Sequence, residues 1–495
     1  MWPFKKKKKK SNTISGLERK INAKSKDGSF SKWNPRTETL LEELNSGEYS
    51  LIRRRCKQSS LNVAPLKKAV LEYKSNLIGT GIKVFFNSDN EDIQSRVRAM
   101  WKKFTEARNF SSDGELSFNS MQRLIVSEIA SVGEVFLKRN VEDIENPEDI
   151  PYSYQLITPD RVDDVFTSQI DERDKNVVMG ISYDDFGKKI AYYFKDLDDS
   201  GNLLNRISTE VVRVPASEVH HVYNRVDASF RRGMPLLLTA IIPGWLSNNL
   251  DESQMKKQII ASMFAGFIKD LSAEISADTQ SDEDSIEGLG NRAGSEIQSG
   301  TITNLDPGKD ITFPDPPKTD GYSDFDKSVL RKISAATGLS YESISNDYAE
   351  TNYSSARHSA QRSSKIMDMI RDDIIIEMLI NPVLSDFMDY IELMQLFPTE
   401  GIEIKYVTPK PIIIDPAKEI NPKTQEIRSG LLSWGQAIAE RGGDPEDMAK
   451  QIAKDYELLD KYDIKIDSDG REVDKQGQLK QEPAVDDENN VNNNE

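Results

Sequence analysis

The sequence LRKISAATGLSYE occupies residues 330–342, and the polar run NDYAETNYSS follows it at 346–355. Apolar residues recur at helical spacing into the first run, and Gly338 ends the helix that this spacing predicts over 325–336. The second run is rich in turn-forming residues and predicts a loop. A long helix is predicted from Ser354 onward. This region is therefore expected to consist of two helices joined by an exposed polar loop.

Upstream of this pair of helices, the spacing of apolar residues changes along the chain. Helical spacing predicts three helices, at 66–78, 91–108 and 118–129. After Gly133 the period becomes two, which is typical of strands. The strands are expected at 134–137, 152–157, 178–182, 190–194, 211–214 and 219–223. Helices followed by antiparallel strands predict an α+β domain.

The remaining elements are predicted to be mainly helical. A helical pattern over 236–271 is interrupted by Pro243 and Gly244, and the long helix is expected to kink at Asn381 and Pro382. Further predicted elements are a strand at 402–407 and two amphipathic helices at 422–440 and 445–462.

Charge, cysteine content and hydropathy exclude several classes of protein. The chain has 65 Lys and Arg against 82 Asp and Glu, a net charge of -17, which opposes a wide grip on a DNA backbone. A single cysteine, Cys56, excludes a disulfide scaffold. The longest apolar run, 235–246, falls short of the roughly 20 residues that span a bilayer. No membrane insertion is expected.

Both ends of the chain have a biased composition. Segment 1–50 is expected to be a mobile basic arm. Its lysine block consists of Lys5, Lys6, Lys7, Lys8, Lys9 and Lys10. Segment 466–495 has nine acidic and three basic residues and is predicted to be a disordered tail. A further acidic excursion lies at 270–300.

No motif predicts catalysis. The nearest approach to a phosphate-binding loop, at 321–328, has Asp326 where a second glycine is needed, so it is interpreted as a helix start. His220 and His221 are adjacent on a predicted strand and point to opposite faces, so they cannot bind one metal ion together. We expect no enzyme, no catalytic residue, no cofactor and no metal site. A pair of hydrolytic carboxylates is left open by the sequence.

Several segments together resemble one family, the portal proteins of lambda-like tailed bacteriophages. The resemblance is carried by 330–342, by Asp347-Tyr348 and by NYSSAR at 352–357. Supporting segments are IGTGI at 78–82, GEVF at 133–136, LITPDR at 156–161, RVPA at 213–216, RGMP at 232–235 and DPAKE at 415–419. The acidic stretch at 278–299 departs from the family.

The resemblance implies a portal fold with wing, stem, clip and crown regions, assembled as a ring of about twelve copies around a DNA channel. The ring would occupy one capsid vertex, after assembly in the bacterial host cytoplasm. It would dock the terminase large subunit during genome packaging, and then serve as head-tail connector and as conduit for DNA ejection. Other implied partners are the major capsid and scaffold proteins, head-completion or tail connector proteins, and double-stranded DNA.

The resemblance also implies a division of the chain into regions. After the arm, these are the wing at 51–233, stem helix 1 at 234–270, the clip with its acidic excursion at 271–319, stem helix 2 at 320–338, the channel loop at 339–353, the long wing helix and strand at 354–411, and the crown helices at 412–465. The acidic tail follows the crown.

Two sets of site residues are expected from this division. The channel loop would present Asn346, Asp347, Tyr348, Glu350, Asn352 and Tyr353 to DNA. Its carboxylates would repel phosphates, and its tyrosines would either contact DNA weakly or pack between subunits. The clip would present Asp278, Asp282, Glu283, Asp284 and Glu287 to the terminase.

Two alternative functions belong to other classes. A minor virion protein or head-tail adaptor would share the acidity but would not need a channel. A packaging ATPase or nuclease is the enzyme alternative, and the missing phosphate-binding loop counts against it.

Overall fold

The computed structural model describes residues 44, 46–162, 176–195, 211–263, 267–270, 309–312, 321–349, 351–409, 416–439, 445–462 and 464. Within these residues, no helix is both long enough and apolar enough to cross a membrane.

The N-terminal part of the described chain is helical. Its elements are α1 (Ser46–Asn62), α2 (Ala64–Leu77), β1 (Lys83–Asn87), α3 (Glu91–Phe104), α4 (Ala107–Phe110) and α5 (Phe118–Ser131). The side chains of Asn90 and Ser117 accept backbone N–H groups at the starts of α3 and α5. Helix α1 begins at Ser46, inside the segment that the sequence assigns to the arm. Its buried Tyr49 holds this turn against the body, so the arm prediction is wrong for 46–50.

Seven strands follow, and they form two antiparallel sheets. They are β2 (Glu134–Val141), β3 (Tyr152–Ile157), β4 (Asn176–Val178), β5 (Ile181–Tyr183), β6 (Lys189–Lys195), β7 (Val211–Pro215) and β8 (Val219–Tyr223). The strand orders are β3-β2-β8 and β4-β5-β6-β7. The single strand predicted over 178–182 is wrong, because Met179 and Gly180 both have positive φ and form a tight turn between β4 and β5.

Two long helices follow the sheets. They belong to the series α6 (Ile241–Met263), β9 (Phe267–Asp270), β10 (Lys309–Thr312) and α7 (Tyr322–Thr337). Helices α6 and α7 pack on each other, and β9 pairs with β10. Pro243 and Gly244 do not interrupt a helix. They lie in the first turn of α6, where a proline N–H needs no partner. The predicted helix also ends earlier, because 267–270 is a strand.

The long helix that the sequence predicts from Ser354 is present and contains a π-helical segment just before its proline. It follows α8 (Tyr341–Ser345) and consists of α9 (Tyr353–Ile370), a π-helical segment (Arg371–Ile380) and α10 (Asn381–Leu393). The N–H of Asn381 donates to the Ile376 carbonyl, a π-type bond. This wider turn immediately precedes Pro382, which has no N–H to donate. The kink predicted at Asn381 and Pro382 stays a prediction.

The C-terminal elements return to the body. They are β11 (Glu403–Val407), α11 (Pro416–Arg428), α12 (Trp434–Ala439) and α13 (Pro445–Lys461). Strand β11 pairs with β1, more than 300 residues away in sequence. The single helix predicted over 422–440 is wrong: α11 begins at Pro416 and includes Pro422, and Gly430, with a φ of 76°, separates α11 from α12.

One aromatic cluster joins the two ends of the sequence. Trp101 packs edge-to-face on Phe387 of α10, with ring centroids 5.0 Å apart, and Phe86 of β1 lies 5.7 Å from Trp101. Phe104 stacks on Phe387 as well. Aromatic pairs contribute about 0.5–1.5 kcal/mol beyond the burial of their area. The long helix is therefore held against α3 and β1 by aromatic packing.

Candidate functional site

The polar loop between α7 and α9 is built by local turn chemistry. Asn346 ends α8 in the left-handed conformation, with a φ of 54°, which asparagine tolerates better than most residues. The Asp347 side chain accepts the N–H of Ala349 at 3.1 Å and the Tyr341 hydroxyl at 3.3 Å. These bonds give the first half of the loop a defined shape.

The second half of the loop is closed by a turn and a helix cap. The N–H of Thr351 donates to the Tyr348 carbonyl at 3.1 Å, and the Asn352 side chain accepts the N–H of Ser355 at 2.9 Å at the start of α9. The side chain of Tyr348 is 62% exposed. Of the predicted loop residues, Glu350 lies outside the described residues, and Tyr353 is described only as the first residue of α9.

A groove of about 450 Å³ lies at the foot of this loop. One wall consists of α7, α8 and the turn between them, and the other is α9. The guanidinium of Arg331 lies over the Tyr341 ring, 5.6 Å from its centroid, and Arg362 lines the opposite wall. The Glu342 carboxylate accepts the Ser359 hydroxyl at 3.3 Å across the groove.

These basic residues were not identified from the sequence as site residues, because the net negative charge of the whole chain was considered there and not the charge of each helix. Helix α9 carries Arg357, His358, Arg362 and Lys365 on its exposed side and has no Asp or Glu before Asp368. A count of charges within each predicted helix would have shown this local reversal of sign.

The hairpin formed by α6 and α7, called the stem hairpin below, leads directly into the loop. The Ser247 hydroxyl donates to Asp326 at 3.5 Å, and the Tyr322 hydroxyl donates to Asp251. Burial and the nearby Asp251 raise the pKa of Asp326. These polar contacts fix the register of the two helices, and Asp326 is inside a helix, as the interpretation of 321–328 as a helix start requires.

Apolar side chains at the start of the stem hairpin remain exposed. The exposed fractions are 67% for Ile242, 56% for Trp245 and 53% for Leu246, and Phe325 at the start of α7 is 49% exposed. Ile242, Trp245 and Leu246 are spaced i, i+3 and i+4 on α6 and therefore share one face of that helix. A contiguous exposed apolar face is typical of protein interfaces.

Two segments that carry the family resemblance, GEVF and RGMP, lie against each other in the body. Glu134 is fully buried and accepts Arg232 Nε at 2.9 Å, Arg232 Nη2 at 2.5 Å and the Gly233 N–H at 3.0 Å. The Tyr49 hydroxyl and His221 Nε2 reach the same carboxylate at 3.1 and 3.0 Å. This cluster, called the Glu134 hub below, joins α1, β2, β8 and the loop before α6.

The two adjacent histidines contact different carboxylates. His221 reaches Glu134, whereas His220 Nε2 lies 2.6 Å from Asp386 of α10. The Tyr154 hydroxyl donates to the same Asp386 carboxylate at 2.8 Å. The prediction that the two side chains point to opposite faces is confirmed, and both are structural.

The histidine of the Glu134 hub has a defined protonation state. Burial, and secondly the charge of Lys189, lower the pKa of His221 to about 3, so its ring is neutral at pH 7. Nε2–H then donates to Glu134, and Nδ1 accepts from Lys189 Nζ at 2.7 Å. Burial also lowers the pKa of Lys189, from its usual 10.5 to about 7.

Lys189 is expected to make stability rise with pH. Between pH 7 and 10.5 the unfolded chain binds a proton that the folded chain lacks, so the free energy of unfolding increases by up to about 1.4 kcal/mol per pH unit. In Lys189→Met this contribution is absent. Urea denaturation at pH 7.5 and 9 measures it, with the exposed neighbour Lys188→Met as control. Equal pH slopes in the two variants would contradict the shift.

The two remaining sets of predicted residues are not described by the structure. Asp278, Asp282, Glu283, Asp284 and Glu287 lie outside the described residues, and so do Lys5 to Lys10. In the described part of the chain, no three His, Cys, Asp or Glu side chains come together as metal ligands.

The class of this protein follows from a family comparison. The chain matches the family model described as "Phage portal protein, lambda family" over residues 26–371, most of its length and all of the stem hairpin and loop. The chain belongs to this family. It is a phage portal protein, a virion component of the head-tail connection at a capsid vertex.

Particular relatives cover most of the chain. It is 22% identical over 482 residues to the "Portal protein" of Escherichia phage N15, covering 87% of this chain and 88% of the relative. It is 24% identical over 403 residues to "Portal protein B" of Escherichia phage lambda, covering 73% of each. Among solved structures it is similar to a chain of "Virion of native gene transfer agent (GTA) particle", with 13% identity and a TM-score of 0.46 over 81% of this chain and 91% of that chain.

Proposed function

We propose that about twelve copies of this portal protein close into a ring whose central channel conducts duplex DNA. The observation that carries the proposal is the exposed apolar surface of the stem hairpin, defined by Ile242, Trp245 and Leu246 of α6 and Phe325 of α7. A second copy would cover this surface. Because a ring contact is head-to-tail, the apolar patch meets a different surface of the neighbour.

Within such a ring, the channel loop at 339–353 would face the channel, and its residues from Asn346 to Tyr353 would lie nearest to DNA. Local bonds support a defined loop, because the side chains of Asp347 and Asn352 accept backbone N–H groups of nearby residues. The exposed Tyr348 ring would then reach the channel. The acidic residues from Asp278 to Glu287 would face the terminase large subunit during packaging. ATP hydrolysis would belong to that motor, and the ring itself would act as passage and docking platform.

The later steps of the proposal follow from the same ring. After packaging, head-completion or tail connector proteins would replace the terminase, and DNA would leave through the same channel during ejection. The major capsid and scaffold proteins would contact the ring during head assembly. The division into wing, stem, clip and crown is part of this proposal.

Trp245→Glu is expected to prevent ring closure while leaving the subunit folded. A charge at an exposed position costs the monomer little, but burying it unpaired in an interface costs several kcal/mol. Electron microscopy of the purified protein measures the fraction of particles that are rings, and circular dichroism checks the fold. Phe186→Glu is the matched control, because Phe186 is 96% exposed on the turn between β5 and β6. Rings of normal abundance in Trp245→Glu would exclude the stem contact, and a wild-type assembly without a central hole would favour the adaptor alternative.

A further inference from the structure

The groove at the foot of the loop has basic walls in an acidic protein. Arg331 projects from α7 and Arg362 from α9, and both are exposed. Among the described residues, neither guanidinium forms an ion pair or a hydrogen bond. Arg371, one helical segment further on, shows the contrast: it donates to Asp368 at 2.5 Å and to the carbonyls of Leu77 and Asn76. Arg331 and Arg362 thus hold their charges ready for a ligand.

The groove is prepared for an anion by the contacts of its other residues. The Tyr341 ring lies under the Arg331 guanidinium and restricts it to the groove, which reduces the entropy lost on binding. The only carboxylate in the lining, Glu342, is engaged by the Ser359 hydroxyl. Ser340, Ser334 and Ser363 add hydroxyl groups to the walls.

Further positive charge extends from the groove along α9. Arg357 and Lys365 are exposed, eight residues and therefore about 12 Å apart along the helix axis. The helix has no carboxylate before Asp368. An elongated polyanion that lies along α9 would therefore meet positive charge over more than two turns.

We propose that this groove binds a phosphodiester group of the DNA in the channel, through Arg331 and Arg362. The inference rests on the proposed function, because the loop joins the two walls and the channel is what brings DNA to them. Guanidinium groups match phosphate oxygens with paired N–H donors, and each such interaction releases counterions. The channel is thus not uniformly repulsive, because each copy adds one weak phosphate-binding site to its acidic loop.

Such a site gives the ring a weak affinity for DNA that decreases as the salt concentration rises. A sliding duplex leaves one site as it reaches the next, so a ring of weak sites retains the packaged end without stopping movement. The position favours DNA over a neighbouring acidic chain as the occupant, because both walls continue directly into the loop proposed to face the channel.

DNA binding by the full-length protein measures this site. The dissociation constant for a short blunt duplex is determined between about 50 and 200 mM KCl, the range over which phosphate binding weakens steeply. The double variant Arg331→Gln/Arg362→Gln is compared with Arg55→Gln/Arg428→Gln, which also removes two exposed arginines but leaves the groove intact. Light scattering and electron microscopy give the assembly state of each protein.

The groove variant is expected to form normal rings and to bind DNA several-fold more weakly at 50 mM salt. The logarithm of the association constant decreases linearly with the logarithm of the salt concentration. In the groove variant this slope should become less steep by about 0.9 for each phosphate that the groove no longer neutralises, while the control variant keeps the wild-type slope. Equal slopes in the two variants would overturn the inference. Failure of the groove variant alone to form rings would also overturn it, and would assign the groove to carboxylates of a neighbouring copy. Absence of rings in the wild type would instead contradict the proposed function.

Discussion

Glu134→Gln is expected to lower the free energy of unfolding by about 3–5 kcal/mol, because it leaves the Arg232 guanidinium buried without its counter-charge. Arg232 is 2% exposed, and it also donates to the Met179 carbonyl at 2.6 Å. Arg53, also 2% exposed, lies 3.4 Å from the same carboxylate. Glutamine has nearly the same volume as glutamate, so the decrease measures charge and hydrogen bonding rather than packing.

The measurement is urea denaturation followed by circular dichroism at a fixed protein concentration, since assembly shifts apparent stability. Glu145→Gln is the matched control, because Glu145 is exposed in the loop between β2 and β3. It is expected to change stability by less than about 0.5 kcal/mol. A decrease below about 1 kcal/mol in Glu134→Gln would mean that the Glu134 hub relaxes or admits water.

The Glu134 hub also predicts a response to acid. Burial alone would raise the pKa of Glu134, but Arg232 and His221 hold it well below its usual value. The folded chain therefore releases this proton more readily than the unfolded chain. The stabilisation is present above the unfolded pKa of about 4.3 and is lost as pH falls below it. The difference in stability between wild type and Glu134→Gln should shrink between about pH 5 and 3, and a constant difference would contradict this assignment.

Gly133→Ala is expected to cost about 2–5 kcal/mol, because backbone strain and overpacking act together. Gly133 has a φ of 98°, where a side chain is strained, and it lies against the backbone of the loop before α6. An added Cβ would lie 2.6 Å from the nitrogen of Pro235 and 2.7 Å from the carbonyl oxygen of Gly233. These are backbone atoms of one segment, and they cannot move aside as a flexible side chain would.

Gly430→Ala is the control that separates backbone strain from steric overlap of the added Cβ. Gly430 also has a positive φ, 76°, but an added Cβ would meet nothing within 4 Å. This control should lose about 1–2 kcal/mol from strain alone. Thermal or urea unfolding of both variants gives the difference, which is the steric part. Equal decreases would show that the loop at Gly233 moves away, and Arg232 would then no longer be fixed to Glu134.

The local elements were predictable where one periodicity governed a segment. The helices at α2, α3 and α5 and the strands β3, β7 and β8 lie within a few residues of their predicted positions. The errors occur where a single residue redirects the chain. Met179 and Gly180 turn a predicted strand back on itself, and Gly430 divides the helix predicted over 422–440 into two. Neither feature leaves a mark in the hydrophobic pattern, because each depends on backbone geometry over a few residues.

The loop was also predictable from the sequence, whereas the groove beside it was not. The residues Asn346, Asp347 and Asn352 identify a turn-rich loop from their types alone, since short polar side chains bond to the backbone nearby. The groove needs Arg331 and Arg362, which are 31 residues apart in the sequence and line one groove only in the folded chain. Net charge concealed them, because a sum over the chain carries no information about position.

The sequence alone was enough to establish the family, the α+β class, the loop and the histidines on opposite faces of a strand, because motif order, periodicity and turn chemistry are local properties. Tertiary packing alone decided which motifs meet. GEVF and RGMP are almost one hundred residues apart, and only the fold shows that Gly133 admits the close approach of Gly233 and that Glu134 neutralises Arg232. Close approach and charge compensation depend on distances in space, and those distances exist only after the chain has folded.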